Sequence, residues 1–213
     1  MFDAYIWDFD GTLFDTYPNM MTAVMRALKD FDLDIGDEDA YRIIKRHSIK
    51  KLVESHGIAN SEFVQVFHQY ERKIVRPALP FAGTKNTLQK IQDNGSSNFV
   101  LSHRDENTLN DLLSRHGLLN YFSAIYIIDT GFPRKPNPAG LNYIIEQFSL
   151  AKEKTVIIGD RPMDIQTGDN AGIYTCLFDQ DHLLDDLVVD FHVYRMPDIL
   201  SLSPIQSNTE ITP

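Results

Sequence analysis

The sequence predicts an α/β fold: a Rossmann-like parallel sheet core with helices on both faces and an inserted all-helical cap domain. Three observations support this prediction. After residue 80, short apolar runs alternate with stretches of helical period; several runs are nearly continuous in Val, Ile and Leu; and helical patterns separate the first run from the others. Alternation of strands and helices favours a parallel sheet, and continuous apolar runs fit strands buried on both faces.

Five apolar runs have the length and composition of strands. In chain order they are Ala4–Trp7, Phe99–Leu101, Ile125–Ile128, Val156–Ile158 and Tyr174–Phe178. The helical patterns around the later runs are Thr84–Gln92, Glu106–His116, Pro138–Phe148 and Asp164–Ala171. The lone cysteine, Cys176, lies in the fifth run, so we expect a buried small hydrophobic residue and not a nucleophile.

The region between the first and second runs has only helical patterns. They are Met20–Phe31, Asp37–Lys45, Ile49–His56 and Asn60–Val75. We therefore predict a helical cap over residues 17–80, inserted into a core of residues 1–16 and 81–204. Hinges are expected near Phe14–Tyr17 and Ala78–Gly83, where proline and glycine cluster. Residues 205–213 are polar, and we expect a flexible tail there.

The composition and net charge limit the classes of partner that the protein can bind. The chain has 213 residues, of which 43% are hydrophobic and 23% are charged, as in a globular protein with a sizeable core. The formal net charge of −10 disfavours nucleic acid and anionic membranes. The N-terminus lacks a signal-peptide pattern, and no apolar run approaches the roughly 20 residues of a membrane span. A cytoplasmic location is the default expectation.

Polar and charged residues collect directly after four of the predicted strands. They are Asp8 and Asp10 after the first strand, Ser102 after the second, Lys135 after the third, and Asp160 and Asp164 after the fourth. Ligands of open parallel sheets bind beyond the carboxyl ends of the strands. We therefore expect these six side chains to converge at one edge of the sheet.

Such a group of residues suits phosphoryl transfer. Carboxylates that meet at one place need a cation, and oxygen ligands favour Mg²⁺. One Asp can act as nucleophile, and a second Asp two residues later can act as general acid and base. Ser102 can donate a hydrogen bond to phosphoryl oxygens, and Lys135 can stabilise their charge. Gly11 permits a sharp turn between the strand and the following segment.

The segments DFDGTL and GDRPMD, together with Ser102 and Lys135 between them, are similar to the four ordered motifs of the haloacid dehalogenase superfamily. Over about residues 4–180, the chain resembles the phosphatase branch with a helical cap, close to phosphoglycolate phosphatase-like proteins. The resemblance implies that Asp8 is the nucleophile and a Mg²⁺ ligand. It also implies that Asp10 is the general acid and base, with its backbone carbonyl as a further metal ligand.

The resemblance assigns roles to the later motifs as well. Ser102 and Lys135 would bind the transferring phosphoryl group. Asp160 would complete the metal site, and Asp164 would act on it from behind the direct ligands or through water. The family often has Gly-Lys-Pro where this chain has Arg-Lys-Pro, so the resemblance leaves open whether Arg134 touches substrate or faces solvent.

Five further residues are candidates for binding the substrate. They are Gly11 and Thr12 in the first loop, His103 and Arg104 beside Ser102, and Arg46 in the cap. Arg46 belongs to the basic segment IIKRHSIKKL, in which some of Lys45, Arg46, Ser48 and Lys50 could close over an anionic leaving group. An ordinary solvated helix face is the alternative interpretation of this segment.

The leading functional hypothesis is a Mg²⁺-dependent phosphatase that hydrolyses a small phosphorylated metabolite through an aspartyl-phosphate on Asp8. One alternative is a phosphomutase of the same superfamily, which returns the phosphoryl group to a sugar hydroxyl. Another is a non-catalytic phosphate-binding protein. A dehalogenase is disfavoured because carbon–halogen cleavage leaves Asp10 and the acids after the fourth strand without a role.

Overall fold

The computed structural model describes residues 1–74, 77–127 and 131–205. The strands in these ranges are β1 (Ala4–Trp7), β2 (Phe14–Asp15), β3 (Leu79–Pro80), β4 (Ser97–Leu101), β5 (Ala124–Tyr126), β6 (Thr155–Gly159), β7 (Tyr174–Phe178) and β8 (Phe191–Val193). Six of them form one parallel sheet in the order β5-β4-β1-β6-β7-β8. The strands β2 and β3 form a separate antiparallel pair.

The helices lie close to the predicted ranges. They are α1 (Tyr17–Asp30), α2 (Asp37–Arg46), α3 (Ile49–Glu54), α4 (Asn60–Glu71), α5 (Thr84–Asp93), α6 (Glu106–Arg115), α7 (Ala139–Gln147) and α8 (Pro162–Ala171). The predicted ends at Val75 and Ile128, and tail residues 206–213, lie outside the described residues. None of the described helices is long and apolar enough to cross a membrane.

Two parts of the predicted strand pattern are wrong. The sixth strand, β8, was not predicted, and it extends the sheet beyond β7. We also expected no strand up to Pro80, yet Leu79–Pro80 pairs with Phe14–Asp15. Both errors have one reason: strands of two or three residues are too short to show a period, and their pairing depends on the rest of the fold.

The sheet is covered on both faces, as predicted. Successive residues of β1 point to opposite faces. Tyr5 and Trp7 pack in a cluster with side chains of α5 and α6, whereas Ala4 and Ile6 pack in a second cluster with side chains of α7. Cys176 is buried in the first of these clusters, in agreement with its predicted structural role.

The helices α1 to α4 have a hydrophobic cluster of their own. It is built around residues such as Val24, Leu28, Leu52 and Phe63, and it is separate from the clusters of the sheet. The β2–β3 pair lies where the chain enters and leaves this helical segment. Both predicted hinge regions therefore pass through one short antiparallel ribbon.

Candidate active site

The structure brings three of the predicted acids together at the carboxyl edge of the sheet. Asp8 follows β1, Asp160 follows β6, and Asp164 lies in the first turn of α8. One carboxylate oxygen from each lies within 4.8 Å of the others. All three residues are buried, so their mutual repulsion is weakly screened. The site therefore concentrates negative charge and needs compensating cations.

Lys135 supplies one of these cations. Its Nζ lies 2.6 Å from Asp8 Oδ1 and 2.5 Å from Asp164 Oδ1, and it donates to the carbonyl of Leu101 at 3.2 Å. Burial opposes the charge of Lys135, but the two carboxylates outweigh burial and raise the pKa of this lysine. Lys135 is therefore a fixed positive charge between two acids.

Asp8 has one bound and one free oxygen. Its Oδ1 accepts from Lys135, whereas its Oδ2 is buried and has no hydrogen-bond partner among the described residues. Burial, together with the charges of Asp164 and Asp160, raises the pKa of Asp8 to about 7 against the opposing effect of Lys135. Within the described part of the chain, Oδ2 therefore accepts no hydrogen bond and remains available to a ligand.

The positive charge nearest to Asp160 comes from a lysine of the helical segment. Lys45 of α2 donates to Asp160 Oδ2 at 2.9 Å, and Tyr17 donates to the same oxygen at 2.8 Å. Thr12 contacts the other oxygen at 3.5 Å. Burial would raise the pKa of Asp160, but Lys45 and Arg161 lower it below its ordinary value. Of the four cap candidates, Lys45 is the one that reaches the acids.

The carboxylate of Asp10 is not part of the cluster that Asp8, Asp160 and Asp164 form. Its Oδ1 accepts from Arg104 Nη1 at 2.6 Å, and it is partly open to solvent. The backbone N–H of Arg104 donates to the hydroxyl of Ser102 at 3.1 Å, and Ser102 is buried. Arg104 therefore links Asp10 to Ser102.

His103 acts on the backbone beside the site. Its Nε2 accepts from the N–H of Lys135 at 2.8 Å. Burial and the charges of Lys135, Arg134 and Arg161 lower the pKa of His103 to about 3. The imidazole is therefore neutral and holds the Lys135 loop by a hydrogen bond. Arg134 itself is exposed.

Gly11 is required by its surroundings. Its φ is +81°, and a Cβ at this position would overlap the Asp160 carboxylate and the Tyr17 ring. A larger residue would therefore displace both Asp160 and one of its donors. The turn at Gly11 is closed by a hydrogen bond from its N–H to the carbonyl of Phe14 at 2.8 Å.

The structure does not place Arg46 beside the acids. Its guanidinium donates to both oxygens of Asp186, at 2.9 and 2.6 Å, and to the carbonyl of Leu183 at 3.2 Å. Adjacent positions on a helix face different directions, so Lys45 and Arg46 reach different partners. The basic sequence pattern alone does not show which of these two residues faces the acids. The way in which α2 packs on the core determines it.

Comparison with known proteins agrees with this fold. A family model for haloacid dehalogenase-like hydrolases matches residues 5–178. The chain is 28% identical to a phosphoglycolate phosphatase from Aquifex aeolicus, over 92% of this chain and 94% of that protein. It is 24% identical to the pyrophosphatase PpaX from Halalkalibacterium halodurans, over 96% of this chain and 98% of that protein. A solved Lactobacillus plantarum structure, assigned as a phosphoglycolate phosphatase, superposes with a TM-score of 0.80. Its sequence is 21% identical, and the match covers 94% of this chain and 98% of that chain.

The matched region contains β4 to β7, residues 5–7 of β1 and the whole helical segment. The chain therefore belongs to the haloacid dehalogenase-like hydrolases. Within this family it resembles the phosphoglycolate phosphatases, two of which are 28% and 25% identical to it. The predicted family and fold class are thereby confirmed.

Proposed function

We propose that this protein is a Mg²⁺-dependent phosphatase that hydrolyses a small phosphorylated metabolite through an aspartyl-phosphate on Asp8. One observation carries the proposal: Asp8 Oδ2 is buried and has no hydrogen-bond partner among the residues that the structure describes, while Oδ1 is held by Lys135. An oriented carboxylate with one free oxygen suits nucleophilic attack. The names of the phosphatase relatives add support for phosphate-ester chemistry.

The residues present fit a magnesium ion. Asp8, Asp160 and Asp164 offer carboxylate oxygens close together, and oxygen donors are the ligands that Mg²⁺ prefers. The backbone carbonyl of Asp10 is a further proposed ligand. When bound, Mg²⁺ would add positive charge that attracts a phosphoryl oxygen and offsets charge developing in the transition state.

In the first step, Asp8 attacks the phosphorus atom. A bond forms between the carboxylate oxygen and phosphorus, and the bond from phosphorus to the ester oxygen breaks. Asp10 donates a proton to the departing oxygen. Arg104 fixes the Asp10 carboxylate for this role by a 2.6 Å hydrogen bond. Ser102 and Lys135 bind the equatorial phosphoryl oxygens.

In the second step, Asp10 accepts a proton from water. The resulting hydroxide attacks the phosphorus of the aspartyl-phosphate, and the bond from phosphorus to Asp8 breaks. Inorganic phosphate leaves, and Asp8 is restored as a carboxylate. The proton that Asp10 gave to the leaving group in the first step is replaced in the second, so the cycle consumes one water per ester.

Residues 17–80 are proposed to act as a cap domain over this site. Their separate hydrophobic cluster supports a unit that can move on the β2–β3 ribbon. Lys45 supports a role for the cap in the site, because it crosses from α2 to Asp160. A closing cap would exclude water during transfer and select the leaving group.

Phosphate release tests the proposal. Wild type, Asp8→Asn and Asp3→Asn would be assayed with p-nitrophenyl phosphate and a panel of metabolite phosphates, with Mg²⁺ and with chelator. Asp3 is the matched control because its carboxylate is exposed and pairs only weakly with Lys154, at 3.3 Å. We expect release that requires Mg²⁺, persists in Asp3→Asn and is absent in Asp8→Asn.

The covalent step has a separate test. Rapid quenching of wild type with a ³²P-labelled ester should trap label on the protein, and peptide mapping should place it on Asp8. Turnover in Asp8→Asn at the wild-type rate, or label on another residue, would refute the assigned nucleophile. Release without Mg²⁺ would refute the metal requirement alone.

A further inference from the structure

A second group of metal-ligating side chains lies in the segment between β7 and β8. Asp179 directly follows β7, Asp185 lies in the connecting loop, and His192 lies on β8. Each offers one ligand atom, and these atoms lie within 4.8 Å of one another. None of the three belongs to the proposed phosphatase site. The inference therefore stands apart from the proposed function.

Two polar atoms in this group are buried and unsatisfied. Within the described residues, Asp179 Oδ1 and His192 Nε2 have no hydrogen-bond partner. The Asp179 side chain is 0% exposed, and its other oxygen accepts from the Leu184 N–H at 2.7 Å. Buried polar atoms are generally satisfied in native proteins. The orphaned oxygen and nitrogen therefore indicate that a ligand is expected here.

The separations fit metal ligands better than hydrogen-bond partners. His192 Nε2 lies 3.7 Å from Asp179 Oδ2 and 3.8 Å from Asp185 Oδ1. Both distances are too long for a hydrogen bond. Two donors held about 2.1 Å from Zn²⁺ at tetrahedral angles lie about 3.4 Å apart. A small contraction would bring the group to that spacing.

Tyr194 packs beside the group and orients two of its members. Its hydroxyl donates to Asp185 Oδ1 at 3.1 Å. Its ring lies 4.8 Å from the His192 ring and stacks on the His182 ring at 4.0 Å. Contacts of this kind, made by groups around a metal's ligands, hold ligands in place.

We propose that Asp179, Asp185 and His192 form a second divalent-metal site, selective for a transition ion such as Zn²⁺ over Mg²⁺. The imidazole nitrogen is the basis of this selectivity, because Mg²⁺ prefers oxygen ligands alone whereas Zn²⁺ binds imidazole and carboxylate well. The ion would join the end of β7, the loop and β8.

The proposed ion has a structural consequence for the helical segment. The same loop carries Asp181, which accepts from Tyr41 of α2 at 2.5 Å, and Asp186, which binds Arg46. A metal that fixes this loop would therefore fix the acids against which α2 docks. Binding of the ion would stabilise the contact between α2 and the core.

Histidine NMR of the full-length protein tests the site. Chelator-treated protein with ¹⁵N-labelled histidine would be titrated with ZnCl₂ and separately with MgCl₂, and His192→Gln would assign the His192 signal. The matched pair of variants is Asp185→Asn and Asp181→Asn. Each removes one carboxylate from the same loop, but only Asp185 belongs to the proposed site. The readout does not depend on phosphatase activity.

We expect Zn²⁺, but not Mg²⁺, to shift the Nε2 resonance of His192. The Zn²⁺ affinity read from this signal should fall by about tenfold or more in Asp185→Asn and stay near wild type in Asp181→Asn. An unmoved His192 signal at saturating Zn²⁺ would overturn the site. Equal losses in the two variants would also overturn it, since they would indicate diffuse attraction to an acidic loop.

Discussion

Lys135 Nζ lies 2.6 Å from Asp8 Oδ1, and the same nitrogen contacts Asp164. All three residues are buried. One cation thus holds two like charges in a region where their repulsion is weakly screened. This arrangement makes Lys135 important for both folding and the proposed chemistry.

Replacing Lys135 by Met should cost stability as well as activity. Two buried carboxylates would lose their common partner, and removal of one member of a buried ion pair typically costs about 3–5 kcal/mol. Phosphate release should fall by about 100-fold or more. Urea unfolding and phosphate assays measure the two effects.

The control is Lys154→Met, which removes an exposed pair with Asp3 and should change stability by no more than about 1 kcal/mol. Comparable losses in the two variants would contradict the role of burial.

Replacing Asp8 by Asn should stabilise the metal-free fold while ending turnover. Burial and neighbouring acids raise the pKa of Asp8 from 3.8 to about 7, so the cost of its ionisation to the folded state grows as pH rises between these values and is complete above pH 7. The neutral amide removes this cost. Chemical unfolding at pH 8 in chelator should require more denaturant for Asp8→Asn than for wild type. A lower unfolding midpoint in the variant would contradict the prediction.

Replacing Gly11 by Ala should be more damaging than a positive φ alone explains. Gly95 has the same φ of +81°, and a Cβ there meets nothing within 4 Å. Gly95→Ala therefore measures the backbone strain, which is about 1–2 kcal/mol. Gly11→Ala should lose more stability, because its Cβ would overlap Asp160 and Tyr17, and it should also lose phosphate release. Equal unfolding midpoints for the two variants would show that the overlap relaxes at no cost.

Removing the ammonium of Lys45 should strengthen binding of the proposed Mg²⁺. Lys45 Nζ lies 2.9 Å from Asp160 Oδ2, so the lysine and the proposed metal ion would compete for the same carboxylate. Calorimetry should show Mg²⁺ affinity about fivefold or more higher in Lys45→Met. Lys50→Met is the control, since Lys50 is exposed and lies 3.9 Å from Glu54. Unchanged affinity in Lys45→Met would mean that the ammonium leaves Asp160 without cost.

Because of His103, the free energy of unfolding should decrease as the pH is lowered. Its pKa is lowered to about 3 by burial and nearby cations, whereas in the unfolded chain it is about 6.5. The unfolded state therefore binds the additional proton between these values. The stability that His103 contributes is complete above pH 6.5 and is lost as pH falls towards 3.

Denaturation of wild type and His103→Gln between pH 7.5 and 4.5 measures this effect. Glutamine can accept the same Lys135 N–H bond but does not titrate. The stability difference between the two proteins should move in favour of the variant as pH falls. A difference that is constant across this range would contradict a partly buried, neutral imidazole.

The sequence by itself determined five of the six strands of the sheet and the position of the acids that follow them. Continuous apolar runs that are short and rich in β-branched residues, such as the run of β6, predict buried strands from the local sequence. A residue directly after a parallel strand must lie at the carboxyl edge. For this reason Asp8 and Asp160 could be predicted to meet, although 151 residues separate them in the chain.

Only the tertiary structure decided which charges face these acids. Lys45 and Arg46 are adjacent and both carry a positive charge, yet Lys45 binds Asp160 and Arg46 binds Asp186. Asp10 binds Arg104 and is not part of the cluster that the other acids form. The strand β8 and the β2–β3 pair exist because other parts of the chain are present to pair with. Long apolar patterns are local, whereas the direction of a charged side chain depends on which surface its helix packs against.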